Sequence, residues 1–473
     1  MFLVCWSFAV SEFITRERCS PCCARLKILL ELGIIKNHIE KTNKNKGGWI
    51  VNIIKRTLIC LIVIVMIFSF GCSKKEDVVP AEKEELVAQE LTPKEMLGKR
   101  LFFDVRLSTP EGQSCAFCHG PTVGWTGPDE ELNKGGSVYT GAMEARFGNR
   151  KPPTAAYAGF SPELYIDEEG NFVGGMFWDG RATGWELGDP LAEQAMGPLL
   201  NPLEQNMLDK KSVILKVQES DYADLFRAVW GSDSLDAETD IDGTYERIAH
   251  AVAAYERSFE VTKFTSKFDE FWRNARAQDL DVTIIDKSNI EEYKGIGLDD
   301  DELLGLALFN TTGLCAECHV LTSVDGETPP LFTDFTYDNL GIPKNPDNPF
   351  YTIGKEWNPY GKDWVDKGLG GFLEGIDQYA GHAKENYGKH KVPTLRNVDL
   401  SPYEGFIKAF MHNGYFKTLK DVVNFYNIRD REEANWPLPE IAENVNVDEM
   451  GDLGLTSEEE DLIVKFMKTL SDR

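Results

Sequence analysis

The sequence predicts a mostly α-helical protein built from two copies of one unit, and three observations carry that prediction. The pentapeptide Cys115-Ala116-Phe117-Cys118-His119 recurs 200 residues later as Cys315-Ala316-Glu317-Cys318-His319. Each copy follows an apolar helix signal: Glu95-x-x-Gly98-x-x-Leu101-Phe102 matches Glu302-x-x-Gly305-x-x-Leu308-Phe309 at an offset of 207. The first copy therefore holds seven more residues before its pentapeptide. The other strong periodicities, at Tyr245 to Val261, Leu419 to Tyr426 and Thr456 to Leu470, are helical too.

The pentapeptide itself specifies chemistry. Thiols three apart share a helical face and can reach both vinyl carbons of one porphyrin, with the next imidazole carried under the iron. Each motif thus predicts one covalently attached haem c. Structural zinc would need two more thiolates or imidazoles per motif, and outside the motifs no cysteine lies beyond Cys72. The repeated helix–loop–CxxCH unit argues for two cytochrome-c-like domains.

The formal net charge is -27 over 473 residues. Residues 1–71 are basic, so residues 72–473 carry 40 Lys and Arg against 73 Asp and Glu. Nucleic acid does not fit such a surface; a basic electron-donor protein steered by the acidic field does. Lys55-Arg56, the apolar run from Thr57 to Phe70 and Gly71-Cys72 resemble a bacterial lipoprotein signal, with Cys72 as the lipidated residue. Ser69 stands where leucine is usual, and an uncleaved membrane anchor is the rival reading. Either way the bulk of the protein is expected in the periplasm or cell envelope. Residues 1–50, with Cys19, Cys22 and Cys23, are mixed in character, and a natural start near Val51 is expected.

The chain then divides into the N-terminal extension and signal (1–72), a polar tether (73–91), a first haem domain (92–275) and a second (276–473). Thr92-Pro93-Lys94-Glu95 is a helix start with an N-cap, Pro at N1 and Glu at N3. Between Tyr245 and Val261, Ile248, Val252, Tyr255 and Phe259 form the apolar stripe, leaving His250 at its boundary. The polar stretch 276–299 reads as the interdomain linker. Residues 325–372, rich in Gly, Pro, Asn and aromatics, read as a long structured loop over a haem edge. The last helix, with an acidic first turn and Leu462, Ile463 and Phe466 on one face, closes the fold.

Further motifs carry a resemblance. Leu101-Phe102-Phe103-Asp104-x-Arg106-Leu107-Ser108, Phe177-Trp178-Asp179-Gly180-Arg181, Gln194-Ala195-x-Gly197-Pro198 and Asn201-Pro202-x-Glu204 follow the first CxxCH unit in order. Val392-Pro393-Thr394-Leu395-Arg396-Asn397, His412-Asn413-Gly414 and Phe425-Tyr426-Asn427 follow the second. Across roughly residues 92–470 the chain resembles the bacterial di-haem cytochrome c peroxidase and MauG family. The resemblance implies two cytochrome-c-like domains with haems facing across their interface.

A peroxidatic iron needs one vacant axial position and a group that moves a proton between the peroxide oxygens. The resemblance makes Glu204 that group, with Gln194 and Pro198 completing the pocket over the haem of His119. An ordinary solvated carboxylate is the rival reading of Glu204. Relatives needing reductive activation carry a removable histidine after the first CxxCH; this chain has none from Gly120 to Tyr245. Met143 sits in the equivalent stretch, where a packing role is expected, so the first haem is expected to be open. The family's second-haem ligand lies fourteen residues after the histidine of the His-x-Gly motif, which here is Tyr426. Met411 is the alternative ligand. Tyrosine matches MauG-like members, and a phenolate favours ferric and higher iron.

Trp178 resembles the tryptophan that carries electrons or holes between the haems; without the family it reads as a core indole. Arg181 and Arg396 are candidate propionate or interface partners. His390 and His412 are candidate hydrogen-bonding groups and His382 a surface one. The calcium ion that bridges the domains in many relatives is poorly supported, because Lys151 replaces an asparagine ligand and about six extra residues precede His412.

The main expectation is an exported, lipid-tethered enzyme that reduces hydrogen peroxide with electrons from a small c-type cytochrome or another periplasmic donor. One rival is a MauG-like enzyme oxidising Trp or Tyr of a partner protein. The other is a multihaem cytochrome that only transfers electrons.

Overall fold

The computed structural model describes residues 90–473. The lipoprotein-type signal, Cys72, the start near Val51 and nearly all of the tether lie outside these residues. Among the described residues no helix is long and apolar enough to cross a membrane.

The fold is mostly α-helical, with two short antiparallel strand pairs. The first half holds α1 (Pro93–Phe102), α2 (Cys115–Cys118), α3 (Glu130–Lys134), α4 (Pro190–Leu200), α5 (Lys210–Gln218), α6 (Ala223–Trp230) and α7 (Ile241–Glu256). The second holds α8 (Lys267–Arg276), α9 (Asp300–Asn310), α10 (Gly368–Leu373), α11 (Leu419–Ile428) and α12 (Ser457–Lys468). β1 (Tyr165–Ile166) pairs with β2 (Phe172–Val173), and β3 (Tyr337–Asp338) with β4 (His390–Lys391) in the register Tyr337↔Lys391, Asp338↔His390.

The repeat seen in sequence is a repeat of packing. Both α1 and α9 begin with a capping box, Thr92 with Glu95 and Asp299 with Glu302, which satisfies two orphan amides at each start. Gly98 then faces α7 so closely that a Cβ would lie 1.9 Å from the Ala251 carbonyl oxygen. Gly305 faces α12 likewise, its hypothetical Cβ lying 2.1 Å from the Leu462 oxygen. In each half the glycine lets two helix backbones touch beside a CxxCH segment. Two main apolar cores follow: Leu97, Leu101, Phe102, Phe226, Tyr245 and Ile248 in the first, and Phe268, Phe271, Leu306, Phe309, Ile463 and Phe466 in the second.

Three elements differ from expectation. The helix expected over Tyr245 to Val261 begins four residues earlier and stops at Glu256, so Phe259 lies past its end and is only half-buried. The polar stretch 276–299 is not loose: Val282, Ile285, Tyr293 and Leu298 are buried in the second core. The long loop 325–372 contains β3 and the start of α10, joined by short 3-10 turns.

Lysines fasten the two halves. Lys408 Nζ donates to the carbonyls of Val123, Asn397 and Leu400 at 2.9–3.1 Å. Lys417 Nζ donates to Asn133 O, Gly135 O, Ser137 Oγ and Gly414 O at 2.6–2.8 Å. Lys408 thus serves three main-chain carbonyls at once, even though burial lowers its pKa to about 7. Lys408→Met strands those acceptors, and a loss of about 3 kcal/mol or more is expected; thermal melts of the wild-type and variant haem proteins would show it as a drop of several degrees.

Candidate active site

Each CxxCH segment lines a cavity. His119 follows α2, its amide donating to Cys115 O at 3.0 Å, and its Nδ1 lies 3.2 Å from Trp125 O. His319 repeats this with Nδ1 2.8 Å from Phe332 O. Such a bond puts the ring proton on Nδ1 and leaves Nε2 free to bind iron, with the carbonyl fixing the ring's orientation as is usual for a metal-ligating histidine. Burial holds both imidazoles neutral, lowering the His119 pKa to about 4 and that of His319 below its ordinary value. All four thiols are free. Two free thiols and one neutral imidazole on the wall of each cavity fit a covalently held haem.

The first cavity is lined by Cys115, Cys118 and His119 together with Phe177, Trp178, Arg181, Gln194, Pro198, Glu204 and Glu256. α4 delivers Gln194 and Pro198. It starts at an Asp189 N-cap, whose carboxylate accepts from the Leu191 and Ala192 amides, and Pro198 lies within its last turn. The chain turns back so that the Glu204 amide donates to Asn201 O and that of Gln205 to Pro198 O. Gly141 packs against the Leu203 and Glu204 backbone, and the Ala142 amide donates to Glu204 O at 2.7 Å. The stretch around Met143 is thus pinned behind Glu204, and Met143 is not among the cavity's lining residues.

Glu204 is half-buried and lines this cavity. Burial raises its pKa, opposed by the charge of Arg181 and a hydrogen bond from Asn201. A second carboxyl, missed in the sequence, shares the cavity. Glu256 ends α7, only 4% exposed, with Oε2 lacking any partner, and burial lifts its pKa to about 8. Its signal was present: Glu256 falls one turn after Val252, on the apolar stripe.

The second cavity contains Cys315, Cys318 and His319, with walls from α9, β3, β4, α11 and the loop before it. Tyr426 and Met411 both line it, so the structure brings both candidate ligands to the same chamber. Burial pushes the Tyr426 phenol well above its ordinary pKa. Trp178 is buried and lines both cavities. Its indole N–H donates to Lys151 O at 2.8 Å, and its own carbonyl accepts from the Lys391 amide at 2.9 Å.

The arginines differ. Arg181 stands at the first cavity, bonded to both Asp179 oxygens and stacked 3.7 Å over Phe177. Arg396, fully buried, bonds Asp269 at 2.6 Å and Pro330 O through Nε and a terminal amine. Lys151 Nζ donates to Thr126 Oγ1 and Pro152 O. His250 is half-buried near Asp189, His382 is exposed beside Glu385, and His390 and His412 are buried.

Comparison with known proteins agrees with this arrangement. The family described as di-haem cytochrome c peroxidase matches residues 92–277. The methylamine utilization protein MauG of Paracoccus denitrificans (strain Pd 1222) is 33% identical over 390 residues, covering 80% of this chain and 88% of that protein. The cytochrome c551 peroxidase of Nitrosomonas europaea is 28% identical over 377 residues, covering 78% and 84%. The crystal structure of the diheme peroxidase BthA from Burkholderia thailandensis superposes with a TM-score of 0.64 at 28% identity, covering 81% of this chain and 87% of that one. The chain belongs to the di-haem cytochrome c peroxidase and MauG family, and is an oxidoreductase of the di-haem peroxidase type.

Proposed function

We propose that this enzyme reduces hydrogen peroxide to water in the cavity of His119 and Glu204, with electrons from a small periplasmic donor such as a c-type cytochrome. The observation that carries this reading is a carboxyl of raised pKa in the same cavity wall as a neutral, metal-ready imidazole. The residues that would hold the cofactors are Cys115, Cys118 and His119 for one haem and Cys315, Cys318, His319 and Tyr426 for the other. When bound, the haems supply a peroxide-binding iron and a second redox centre. The chain falls into two haem domains, 92–275 and 276–473, that face each other across Trp178.

Glu204 takes the proton of the inner peroxide oxygen and returns it to the outer one, so that the O–O bond breaks with water as the leaving group. Two electrons and two protons complete the reduction to two waters. Gln194 and Pro198 limit the space beside Glu204, Arg181 tempers its pKa, and Trp178, in both walls, lies on the route for charge between the centres. An exported, lipid-anchored location is part of the proposal and rests on the Cys72 signal alone.

One observation favours a second reading. Tyr426 lines the His319 cavity, and MauG is 33% identical. On that reading the oxidising equivalents are used on a Trp or Tyr side chain of a partner protein. Treating the diferric enzyme with peroxide and then with reduced cytochrome c separates the two. Rapid oxidation of the cytochrome supports the peroxidase. A long-lived oxidised enzyme that cytochrome c discharges slowly supports the modifier, and no reaction with peroxide removes both. Tyr426→Met is expected to raise the potential of the second haem; an unchanged potential in redox titration assigns the ligand elsewhere.

A further inference from the structure

Glu204 sits in the middle of a tight turn whose outer supports lie away from the cavity. The Asn201 carbonyl accepts from the Glu204 and Asn206 amides, both at 3.0 Å, and Asn201 also bonds the Glu204 carboxyl. Asn206 has a left-handed backbone, φ 55°, and its Nδ2 donates to Thr109 O at 2.7 Å. The carboxyl is thus held from within its own turn, and whatever fixes residues 201–206 fixes the carboxyl.

Arg146 does that fixing. Its Nη1 donates to Pro202 O at 3.2 Å and to Asn206 Oδ1 at 3.0 Å, one acceptor on each side of Glu204 in sequence. Its own carbonyl accepts from the Gly141 amide at 2.7 Å, and Thr140 bridges Phe147, so Arg146 stands on a closed hairpin. That hairpin grips the turn a second time, through the Ala142 amide on Glu204 O. Arginine suits the task, because a planar guanidinium can donate from its edge while an aromatic ring covers its face. The ring is Trp357 of the second half, its centroid 4.8 Å from Arg146 Cζ.

Trp357 is itself presented firmly. Its neighbour Asn358 is buried, with Nδ2 donating to Phe350 O and Gly361 O and Oδ1 accepting from the Tyr360 and Gly361 amides. Asn348 ties the start of the same loop to the first half, its Nδ2 donating to Asn149 O at 3.0 Å. Neither Arg146 nor Trp357 lines the cavity, so neither is placed to touch what binds there.

We infer that Arg146, clasped by Trp357 across the two halves, is a positioning residue that holds the Glu204 carboxyl in place for proton transfer. The inference rests on the proposed role of Glu204. The peroxide chemistry of the first cavity then depends on a side chain of the second half.

The test follows the reaction of the diferric protein with hydrogen peroxide by stopped flow, with haem content measured on every variant. Arg146→Ala is expected to slow that reaction by about 10–10²-fold with both haems retained, as a small misplacement of a reacting group does. In a Glu204→Gln background the same change is expected to cost less than about twofold, because residues acting as one unit are not additive. Trp357→Ala should slow the reaction by about tenfold, whereas Trp357→Phe, which keeps an aromatic face for the guanidinium, should stay within about twofold of wild type. A rate within about twofold of wild type in Arg146→Ala overturns the inference, and so does equal slowing in the Glu204→Gln background, which is the mark of general damage. If Arg146→Ala loses haem, the Trp357 pair decides, and equal rates in its two variants overturn the clasp. An unchanged rate in Glu204→Gln alone removes the proposed role of Glu204 and this inference with it. A slowed Glu204→Gln beside an unaffected Arg146→Ala removes this inference only.

Discussion

Replacing Glu204 by Gln lowers peroxide turnover by about 10²–10⁴-fold, with both haems still attached. The amide fills the same space but cannot accept the proton of the inner oxygen. Direction with pH follows from the raised pKa. In the proposed role the working form is the carboxylate, so wild-type turnover is expected to fall as pH drops through the folded pKa. That fall begins at a higher pH than for an exposed glutamate, and Glu204→Gln has no such limb in its residual rate. Stability shifts the other way. The folded carboxyl holds its proton more tightly than the unfolded one, so wild-type stability declines as pH rises from the unfolded value through the folded one. The variant lacks that decline. Steady-state rates and melts across pH 4 to 9 measure both, and unchanged turnover in Glu204→Gln removes this residue from the role.

Gly305→Ala is expected to be the most damaging single methyl in the second half. The added carbon would sit 2.1 Å from Leu462 O, 2.8 Å from Leu462 C and 2.9 Å from Phe466 Cβ. Two of these are backbone atoms, so no rotamer relieves them and α9 must part from α12. Forced separation in a packed core costs about 3 kcal/mol or more, and a melting temperature lower by about 5 °C or more is expected. Gly98→Ala should act alike in the first half. Gly381→Ala is the control, because its Cβ meets nothing within 4 Å. Equal melting of Gly305→Ala and Gly381→Ala would show that helix contact at the repeat is not what holds the halves.

These glycines also show what was legible beforehand. The CxxCH pairs, the capping boxes and the paired glycines are local signals, written within a few residues of where they act. The end of α7 was not, because apolar spacing continues to Phe259 while the backbone stops at Glu256. Glu204, Gln194 and Trp178 could be named from motif order, and the structure brings all three to one chamber. Trp357 could not, since it sits in a loop without periodicity and meets Arg146 only through the fold. Lys408 and Lys417 were silent for a related reason: their partners are main-chain carbonyls, which no residue type announces.

Trp178 stands in a shared partition, tied on one side through its indole N–H to Lys151 and on the other through its carbonyl to Lys391. A wall common to two rooms cannot be moved for one of them alone. Any ligand, charge change or substitution that displaces this ring is felt in both chambers together, so the two redox centres are mechanically married, and tuning either in isolation means working on the far walls.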